Sequence, residues 1–409
     1  MHMTPDENRT TWVMLLTLTT AFALSQAWRT VASVMAAPLQ ADFNLTAQDL
    51  GLFAGAFHFA FGAIQLFMGI AIDLHGVRRC VLVAFPVAIV GSVVSSVASS
   101  YGMLVLGQVL IGIGCAPAFL VCTVFIARHF PAGRFAAISG LTLGLGGIGM
   151  LLTGTPLAWL IQASSWRAGF AVLGLLAVVS WWLIWHLVRE PASASHATSK
   201  ESVPEALRKF GELFLLPHTL GIVMLGCVTY ASFITLRGLW LGPLLMERHG
   251  FSIVQSGNVA LVMSLASLIG SPLFGRLDPG PQRRRIWLVG LTLLLAGLFA
   301  ALAVMHNTLI DVLDPVVIGL LSGYIVLQYA DVRNAYPAAM TGRAMAVFTM
   351  ALFLGVAAMQ WLTGVVASSA AAYGMAPFTA VMASISALLV AGALAFVVLP
   401  GPGSALKAC

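Results

Sequence analysis

Two arginines stand inside long apolar stretches of the sequence. Arg29 lies between "SQAW" and "TVASVMAAPL", and Arg237 lies within "YASFITLRGLWLGPLL". A charged side chain in hydrocarbon costs about 2.5–3.5 kcal/mol on insertion scales, so it usually faces a cavity and has a function. A guanidinium can bind a carboxylate or phosphate through two parallel hydrogen bonds, which predicts one small anion bound by both arginines. The alternative is that each arginine reaches a membrane interface or binds helix carbonyl groups.

A third stretch places an ionisable side chain among glycines at helical spacing. The residues on this face, at gaps of 4, 3, 4, 3 and 4, are Gly51, Gly55, His58, Gly62, Gln65 and Gly69. Small residues at this spacing let two helices approach closely. Imidazole changes charge near neutral pH, so His58 is a candidate proton carrier or substrate ligand. The alternative is a histidine hydrogen-bonded between two helices.

Neutral polar side chains near Arg237 could complete an anion site. The residues that share its predicted helix face, at gaps of 4, 3 and 4, are Tyr230, Ile234, Arg237 and Leu241. Tyr324 and Gln328 stand one helical turn apart and are either hydrogen-bonding partners of the substrate or polar core residues. No acid lies near either arginine in the sequence, the apolar windows contain few acids, and Asp331 lies too close to a helix end to serve as a partner.

These residues must be positioned by helices that cross a membrane. The chain has 409 residues, of which 60% are hydrophobic and 8% charged, with a mean hydropathy of +0.97. A soluble domain has about 25% charged residues, whereas windows of roughly 20 apolar residues span a bilayer as helices. Twelve such windows are present, at 12–37, 48–71, 80–98, 103–127, 135–162, 168–188, 217–246, 253–275, 286–305, 315–333, 344–369 and 375–399. The fold class is therefore an all-α polytopic membrane protein.

Charge alternates from one loop to the next. Basic loops contain Arg78, Arg128 and Arg283, whereas the intervening loops carry acids such as Asp49 and Asp311. The positive-inside rule places the basic loops and both termini on the cytoplasmic side of the inner membrane. Arg167 and Arg248 are exceptions. The net charge of +6 therefore reflects the cytoplasmic loops and does not indicate nucleic-acid binding. The spacing of the five cysteines indicates neither a disulfide framework nor a metal site.

The chain divides into two similar halves. The least apolar segment, 190–216, separates a six-helix bundle at 1–189 from another at 217–409, and a short amphipathic helix is expected within it, from Pro204 to Leu215. Matched loop sequences support a duplication: "ADFNLTAQDLG" corresponds to "ERHGFSIVQSG", "RHFPAGRFA" to "RNAYPAAMTGRAMA", and "WRAGF" to "YGMAPF". A substrate would then bind between the halves near mid-membrane.

The loop after the second window reads "GIAIDLHGVRR". A glycine, an aspartate four residues later, a second glycine and paired arginines make this loop resemble the hallmark motif of the major facilitator superfamily, and "GSPLFGRLDPGPQRRR" resembles its degenerate second copy. The resemblance implies twelve transmembrane helices in two pseudo-symmetric bundles. It also implies a conformational latch in which Asp73 caps the helix starting near 342–344; the latch residues are Gly69, Asp73, Gly76, Arg78 and Arg79. The alternative is a basic anchor with a capping aspartate.

Two stretches depart from patterns of this family. "GQVLIGIGCAPAF" has Gln108 where many members carry an arginine tied to proton coupling, which makes coupling through that helix less expected. "GLGGIGMLLTGTP" is near the glycine–proline motif of drug–proton antiporters, but its Gly154-Thr155-Pro156 is offset by one residue, and close packing of small residues explains the glycines equally well.

The combined interpretation is a secondary transporter that moves a small organic anion, a carboxylate, by alternating access. The paired arginines resemble those of the organic-anion branches of the superfamily. The expected partners are an anionic substrate, a coupling proton or counter-anion, and the lipid bilayer, with the chain acting as a monomer without a cofactor or catalytic activity. The alternatives are an exporter of drug-like apolar compounds, a transition-metal importer, or a membrane sensor that transports nothing.

Overall fold

The computed structural model describes residues 5–131, 134–189 and 211–400. In these ranges the chain forms helices joined by short loops, and the helices make twelve spans. The first six spans are Pro5–Trp28 continued by Val31–Phe43, Ala47–His75, Val77–Ser96, Tyr101–Cys115 continued by Ala118–His129, Phe135–Leu152 continued by Thr155–Ala163, and Trp166–Leu187. The predicted linker helix from Pro204 lies mostly outside the described residues.

The last six spans repeat this pattern except that span 11, unlike span 5, is one continuous helix. Spans 7 to 12 are Pro217–Thr235 continued through Leu236–Trp240 to Leu241–His249, Ile253–Arg276, Pro281–Val304, Thr308–Ser322 continued by Ile325–Ala335, Ala338–Ala372, and Pro377–Val398. Ten of the twelve, spans 3 to 12, are individually long and apolar enough to cross a membrane. The predicted all-helical, twelve-span fold is confirmed, and most spans extend a few residues beyond the predicted apolar windows.

The loops before spans 2 and 8 share one backbone design. Asn44 and Gly250 both end a helix in the left-handed region, with φ of 51° and 67°. Two residues later Thr46 and Ser252 each cap the next helix with a reciprocal capping box. The loops at Gly76 and Gly280 match as well, with φ of 81° and 82° in a conformation that favours glycine. This agreement supports the predicted duplication.

The two ends of the bundle differ in charge. We call the end that carries Gly76 and Gly280 the basic end, and the end that carries Asn44 and Gly250 the acidic end. The two arginines that broke the loop-charge pattern lie at the acidic end and are paired there: Arg167 contacts Asp42 at 2.9 Å, and Arg248 contacts the buried Asp311 at 3.0 Å. Each arginine is therefore neutralised locally.

The two halves meet at the acidic end and near the middle of the bundle. Span 2 packs on span 11 through the predicted glycine face: a Cβ at Gly51 would lie 2.4 Å from the Gln360 carbonyl oxygen, and one at Gly55 would lie 3.0 Å from that of Ala357. Spans 5 and 8 meet at Gly154 and Gly257, where a Cβ at Gly154 would lie 3.0 Å from the Gly257 carbonyl oxygen. Backbone contact this close requires glycine.

The halves separate toward the basic end. Gly69 on span 2, Gly140 on span 5, Gly275 on span 8 and Gly342 on span 11 would meet no atom of the described residues within 4 Å if they carried a Cβ. The same helices that are in close contact nearer the acidic end therefore have space around them here. We interpret this difference as a bundle whose halves are in contact at the acidic end and apart at the basic end.

Candidate functional site

Arg29 lies at a break in span 1. The first helix ends at Trp28 and the second begins at Val31, so Arg29 occupies the two-residue turn between them. The residue is buried, with 6% of its surface exposed. Nη1 donates to Gln26 Oε1 at 2.6 Å and Nη2 to Ser25 Oγ at 3.4 Å.

Aromatic rings from both halves enclose this guanidinium. Its carbon lies 4.6 Å from the ring centre of Phe61 on span 2 and 4.7 Å from that of Phe353 on span 11. A cation between two ring faces gains about 0.5–2 kcal/mol per desolvated contact. Among the described residues, Arg29 Nε has no hydrogen-bond partner, so the N–H on that nitrogen is unused.

Arg237 lies in a π-helical turn of span 7, Leu236–Trp240, and is fully buried. Nε donates to the Ala260 carbonyl oxygen at 3.0 Å and to Ser264 Oγ at 2.9 Å on span 8. Nη2 donates to the Met150 carbonyl oxygen at 2.9 Å on span 5. Within the described chain Nη1 has no partner. A π turn is uncommon and often marks a functional site.

The π turn changes the face predicted for span 7. The backbone N–H of Leu241 bonds to the Leu236 carbonyl, five residues back rather than four. The extra residue rotates the helix beyond Arg237 relative to the segment before it, so the prediction that Leu241 continues the face of Tyr230 and Ile234 in α-helical register is wrong. Apolar periodicity does not reveal a π turn, because all the side chains around it are buried.

The two arginines lie close along the backbone, but their side chains have different neighbours. A Cβ at Gly238 would lie 3.0 Å from the Arg29 carbonyl oxygen. Thr30 Oγ1 lies 2.6 Å from Thr153 Oγ1, which is itself 3.5 Å from Arg237 Nη2. The Arg29 guanidinium faces spans 2 and 11, whereas that of Arg237 faces spans 5 and 8. In the described residues neither contacts a carboxylate.

His58 and Tyr230 lie beside the Arg29 cluster. His58 is 1% exposed, its Nδ1 lies 3.1 Å from the Ala54 carbonyl oxygen, and its ring stacks on Phe353 at 6.4 Å between centres. Tyr230 meets the same Phe353 edge-on at 5.8 Å. The structure thus brings Arg29, His58 and Tyr230 around one aromatic side chain of the opposite helix.

Gln360 belongs to this cluster and was missed in the sequence. It is fully buried on span 11, its backbone contacts Gly51, and its Nε2 lies 3.6 Å from the Cβ position of Gly238. Its carboxamide also lies beside His58. One glutamine inside an apolar window carries no periodic signal. Its significance emerges only from the packing of spans 2, 7 and 11.

Tyr324 and Gln328 lie in the core of the C-terminal half. Tyr324 Oη bonds to Thr292 Oγ1 at 2.9 Å on span 9. Gln328 bonds to Thr229 through both carboxamide atoms, at 2.9 and 3.1 Å. The structure does not bring either residue to the Arg29 cluster. Asp331 pairs with Arg285 at 3.2 Å near the basic end, as its shallow position predicted.

The hallmark loop lies at the open basic end. Gly76 makes the single-residue turn between spans 2 and 3, and Arg78 Nη2 donates to the Trp185 carbonyl oxygen at 2.9 Å on span 6. Arg79 is exposed and Gly69 has free space around it. The side chain of Asp73 lies outside what the structure describes, so the latch remains a prediction.

The equivalent loop of the second half is held by an ion pair. Arg284 donates to Asp278 through Nε at 3.0 Å and Nη2 at 2.6 Å, and the Gly280 N–H donates to the same carboxylate. The hydrogen bonds from the Arg284 guanidinium hold the pKa of Asp278 below its usual value. These hydrogen bonds stabilise the described conformation of the loop.

Comparison with known proteins gives distant relatives, with 21–25% sequence identity. The chain is 25% identical to a D-galactonate transporter of Escherichia coli over 403 residues, 90% of each chain. It is 25% identical to a probable sulfoacetate transporter of Cupriavidus necator and 21% identical to a hexuronate transporter of Bacillus subtilis. Those two matches cover 62% and 59% of this chain but only 61% and 58% of the relatives' lengths.

Solved structures share the fold. The D-xylose–proton symporter superimposes with a TM-score of 0.76 at 16% identity, over 96% of this chain and 98% of that one. A bacterial homolog of the human lysosomal transporter Spinster, inward-facing and unoccupied, gives 0.71 at 19% identity, over 97% and 96%. The model of the Major Facilitator Superfamily matches residues 17–360. With this match and the twelve-span duplicated architecture, the chain belongs to the major facilitator superfamily.

Proposed function

We propose that the chain is a secondary transporter that carries a small organic anion, a carboxylate, across the inner membrane by alternating access. The observation that carries this proposal is the burial of two guanidiniums at the junction of the halves, where no described carboxylate contacts them. Leaving a buried charge without its partner typically costs about 3–5 kcal/mol. A bound anion would remove that cost.

Each arginine keeps for the anion a nitrogen without a partner among the described residues: Nε of Arg29 carries one N–H, and Nη1 of Arg237 carries two. Arg29 Nε and Arg237 Nη1 are the unused donors, while the other nitrogens of both side chains hold the guanidiniums in place. His58 and Tyr230 are proposed as further substrate contacts because they surround the same Phe353. Tyr324 and Gln328, whose hydrogen bonds are met within the C-terminal half, are not needed in this site.

The relatives support an anion as the cargo. Galactonate and hexuronate are carboxylates, and sulfoacetate carries a carboxylate and a sulfonate. In the described conformation, Gly69, Gly140, Gly275 and Gly342 have free space around them at the basic end. If the basic end is cytoplasmic, as the loop charges predict, the structure represents the inward-open state. We also propose that transport is coupled to a proton or a counter-anion and that the chain acts as a monomer.

The test is anion binding to purified variants. A ligand that binds only the folded protein raises its unfolding temperature, so D-galactonate and other small carboxylates are screened by thermal shift. Arg29→Ala and Arg237→Ala should abolish the shift, and each lysine variant should retain a weak one, since lysine restores charge without two-pronged geometry. Arg167→Ala, at an exposed ion pair, is the control and should bind normally. Normal binding by both alanine variants would overturn the proposal.

A further inference from the structure

We infer that the acidic end carries a second binding site, which takes a small organic cation with an apolar body. The site is a cavity of about 330 Å³ between the two halves, a volume in the range of small-molecule pockets. It is distinct from the arginines, because neither Arg29 nor Arg237 lines it. Binding of a cation there does not depend on what the chain transports.

Both halves build the walls of this cavity. The N-terminal half contributes the end of span 1 and the start of span 2, with Leu45 and Leu50, and the C-terminal half contributes spans 7, 11 and 12, with Ala367 on span 11. Beside the cavity the halves are joined by a hydrogen bond from the Gln48 N–H to Ser368 Oγ at 2.9 Å. Separation of spans 2 and 11 would therefore remove one wall of the cavity.

Two aromatic side chains line the cavity on the C-terminal side. Trp240 and Phe378 meet edge to face, with ring centres 6.2 Å apart and planes at 80°. Trp240 is buried, and its Nε1 donates to Thr363 Oγ1 at 2.9 Å on span 11, which holds the indole in place. The face of an aromatic ring carries partial negative charge and attracts organic cations, tryptophan most strongly. These rings give the cavity the kind of wall that binds an ammonium group.

The charge at the cavity is negative. Glu247, exposed on the last turn of span 7, is the carboxylate among the described lining residues, and none of those residues is basic. In the part of the chain that the structure describes, Glu247 forms no ion pair. Arg167 and Arg248 at the same end are already paired with Asp42 and Asp311. A cation is therefore the ligand whose charge complements this cavity.

A ligand in this cavity would hold the two halves together at the acidic end. It would contact spans 1 and 2 on one side and spans 7, 11 and 12 on the other, and those contacts are lost when the halves separate there. A ligand shifts a conformational equilibrium toward the state that it binds better. The cation would thus act as an inhibitor from the acidic end. This inhibition rests on the proposed alternating access, whereas the binding itself does not.

The experiment compares phenethylammonium with 2-phenylethanol, which have the same ring and nearly the same size and differ in charge. In calorimetric titration of the purified parent protein at neutral pH, the ammonium should bind at least about fivefold more tightly, since it gains a solvent-accessible ion pair and a cation–π contact. Glu247→Gln should reduce this preference to about twofold or less and leave the affinity for the alcohol unchanged. Asp314→Asn is the matched control. It removes a carboxylate at the same end, on span 10 and outside the cavity, so the preference should persist.

A second measurement reports on the conformation that the cation binds. Position 357 packs on Gly55 and is 8% exposed, so a membrane-impermeant maleimide at the acidic end should alkylate Ala357→Cys only when spans 2 and 11 separate. At ten times its Kd, phenethylammonium should slow this alkylation about tenfold, and Glu247→Gln should relieve the slowing at the same concentration.

Three results would overturn this inference: equal binding of the ammonium and the alcohol by the parent, a preference that survives in Glu247→Gln, or an alkylation rate that the ammonium does not change. The first would indicate a purely apolar occupant. These results leave the proposed anion site intact. Conversely, a parent protein that binds phenethylammonium but no carboxylate would overturn the proposed function and leave the cation site in place.

Discussion

Closure of the acidic end depends on Gly51, and replacing it with alanine tests how the halves move. The new Cβ would lie 2.4 Å from the Gln360 carbonyl oxygen and 3.1 Å from the Gly364 Cα. Both are backbone atoms, so no side-chain rotation relieves the overlap, and the helices must separate. Overpacking of this kind costs about 1–3 kcal/mol. That cost falls only on the state in which spans 2 and 11 touch.

Gly51→Ala should therefore shift the population toward an open acidic end by about 5- to 150-fold. The assay is the alkylation rate of Ala357→Cys, a position that packs on Gly55 and is 8% exposed, by a membrane-impermeant maleimide applied at the acidic end. Gly290→Ala is the control, because a Cβ there would meet no atom of the described part of the chain within 4 Å. Equal alkylation rates with and without Gly51→Ala would refute the assignment of this contact as the closed gate.

Three further predictions concern the latch, coupling and loop stability. Asp73→Asn should slow transport more than it weakens substrate binding, and unchanged turnover in folded protein would exclude the latch. If transport is proton-driven, His58→Gln should abolish accumulation, whereas accumulation that persists would remove His58 from that role. The lowered pKa of Asp278 means that its ion pair with Arg284 stabilises the fold above the carboxyl's unfolded pKa, and that this stability is lost as pH falls through the lower folded value. Asp278→Asn should therefore unfold earlier than the parent near neutrality, and the two midpoints should converge at acidic pH; a constant gap would contradict the linkage.

The architecture was predictable because hydropathy and loop chemistry are local signals. Apolar windows, alternating loop charge and the matched loops around Asn44 and Gly250 depend on residues that are adjacent in sequence. The glycine face of span 2 was readable for the same reason, since helical spacing alone places Gly51 and Gly55 together. Their partner helix, span 11, was not readable, because contact between halves is set by tertiary packing.

The site was only partly predictable. Arg29, Arg237 and His58 stood out as ionisable groups in apolar stretches. The directions of the Arg29 and Arg237 side chains could not be predicted, because they depend on the helix break at Arg29 and on the π turn at Leu236–Trp240. Gln360 carries no charge and follows no period, so only its burial without partners reveals it. Tyr324 and Gln328 lie one helical turn apart. Their sequence context does not distinguish polar core residues from residues that contact a ligand.

The central claim is that the buried guanidiniums bind an anion, and charge removal from the ligand tests it most directly. Binding of D-galactonate and of its neutral amide to the purified parent protein is measured by calorimetric titration. The two ligands have the same hydroxyl groups and nearly the same size, and they differ in the carboxylate. We predict that the carboxylate binds and that the amide does not, because Arg29 and Arg237 would again lack a counter-charge. Equal binding of acid and amide would contradict the claim.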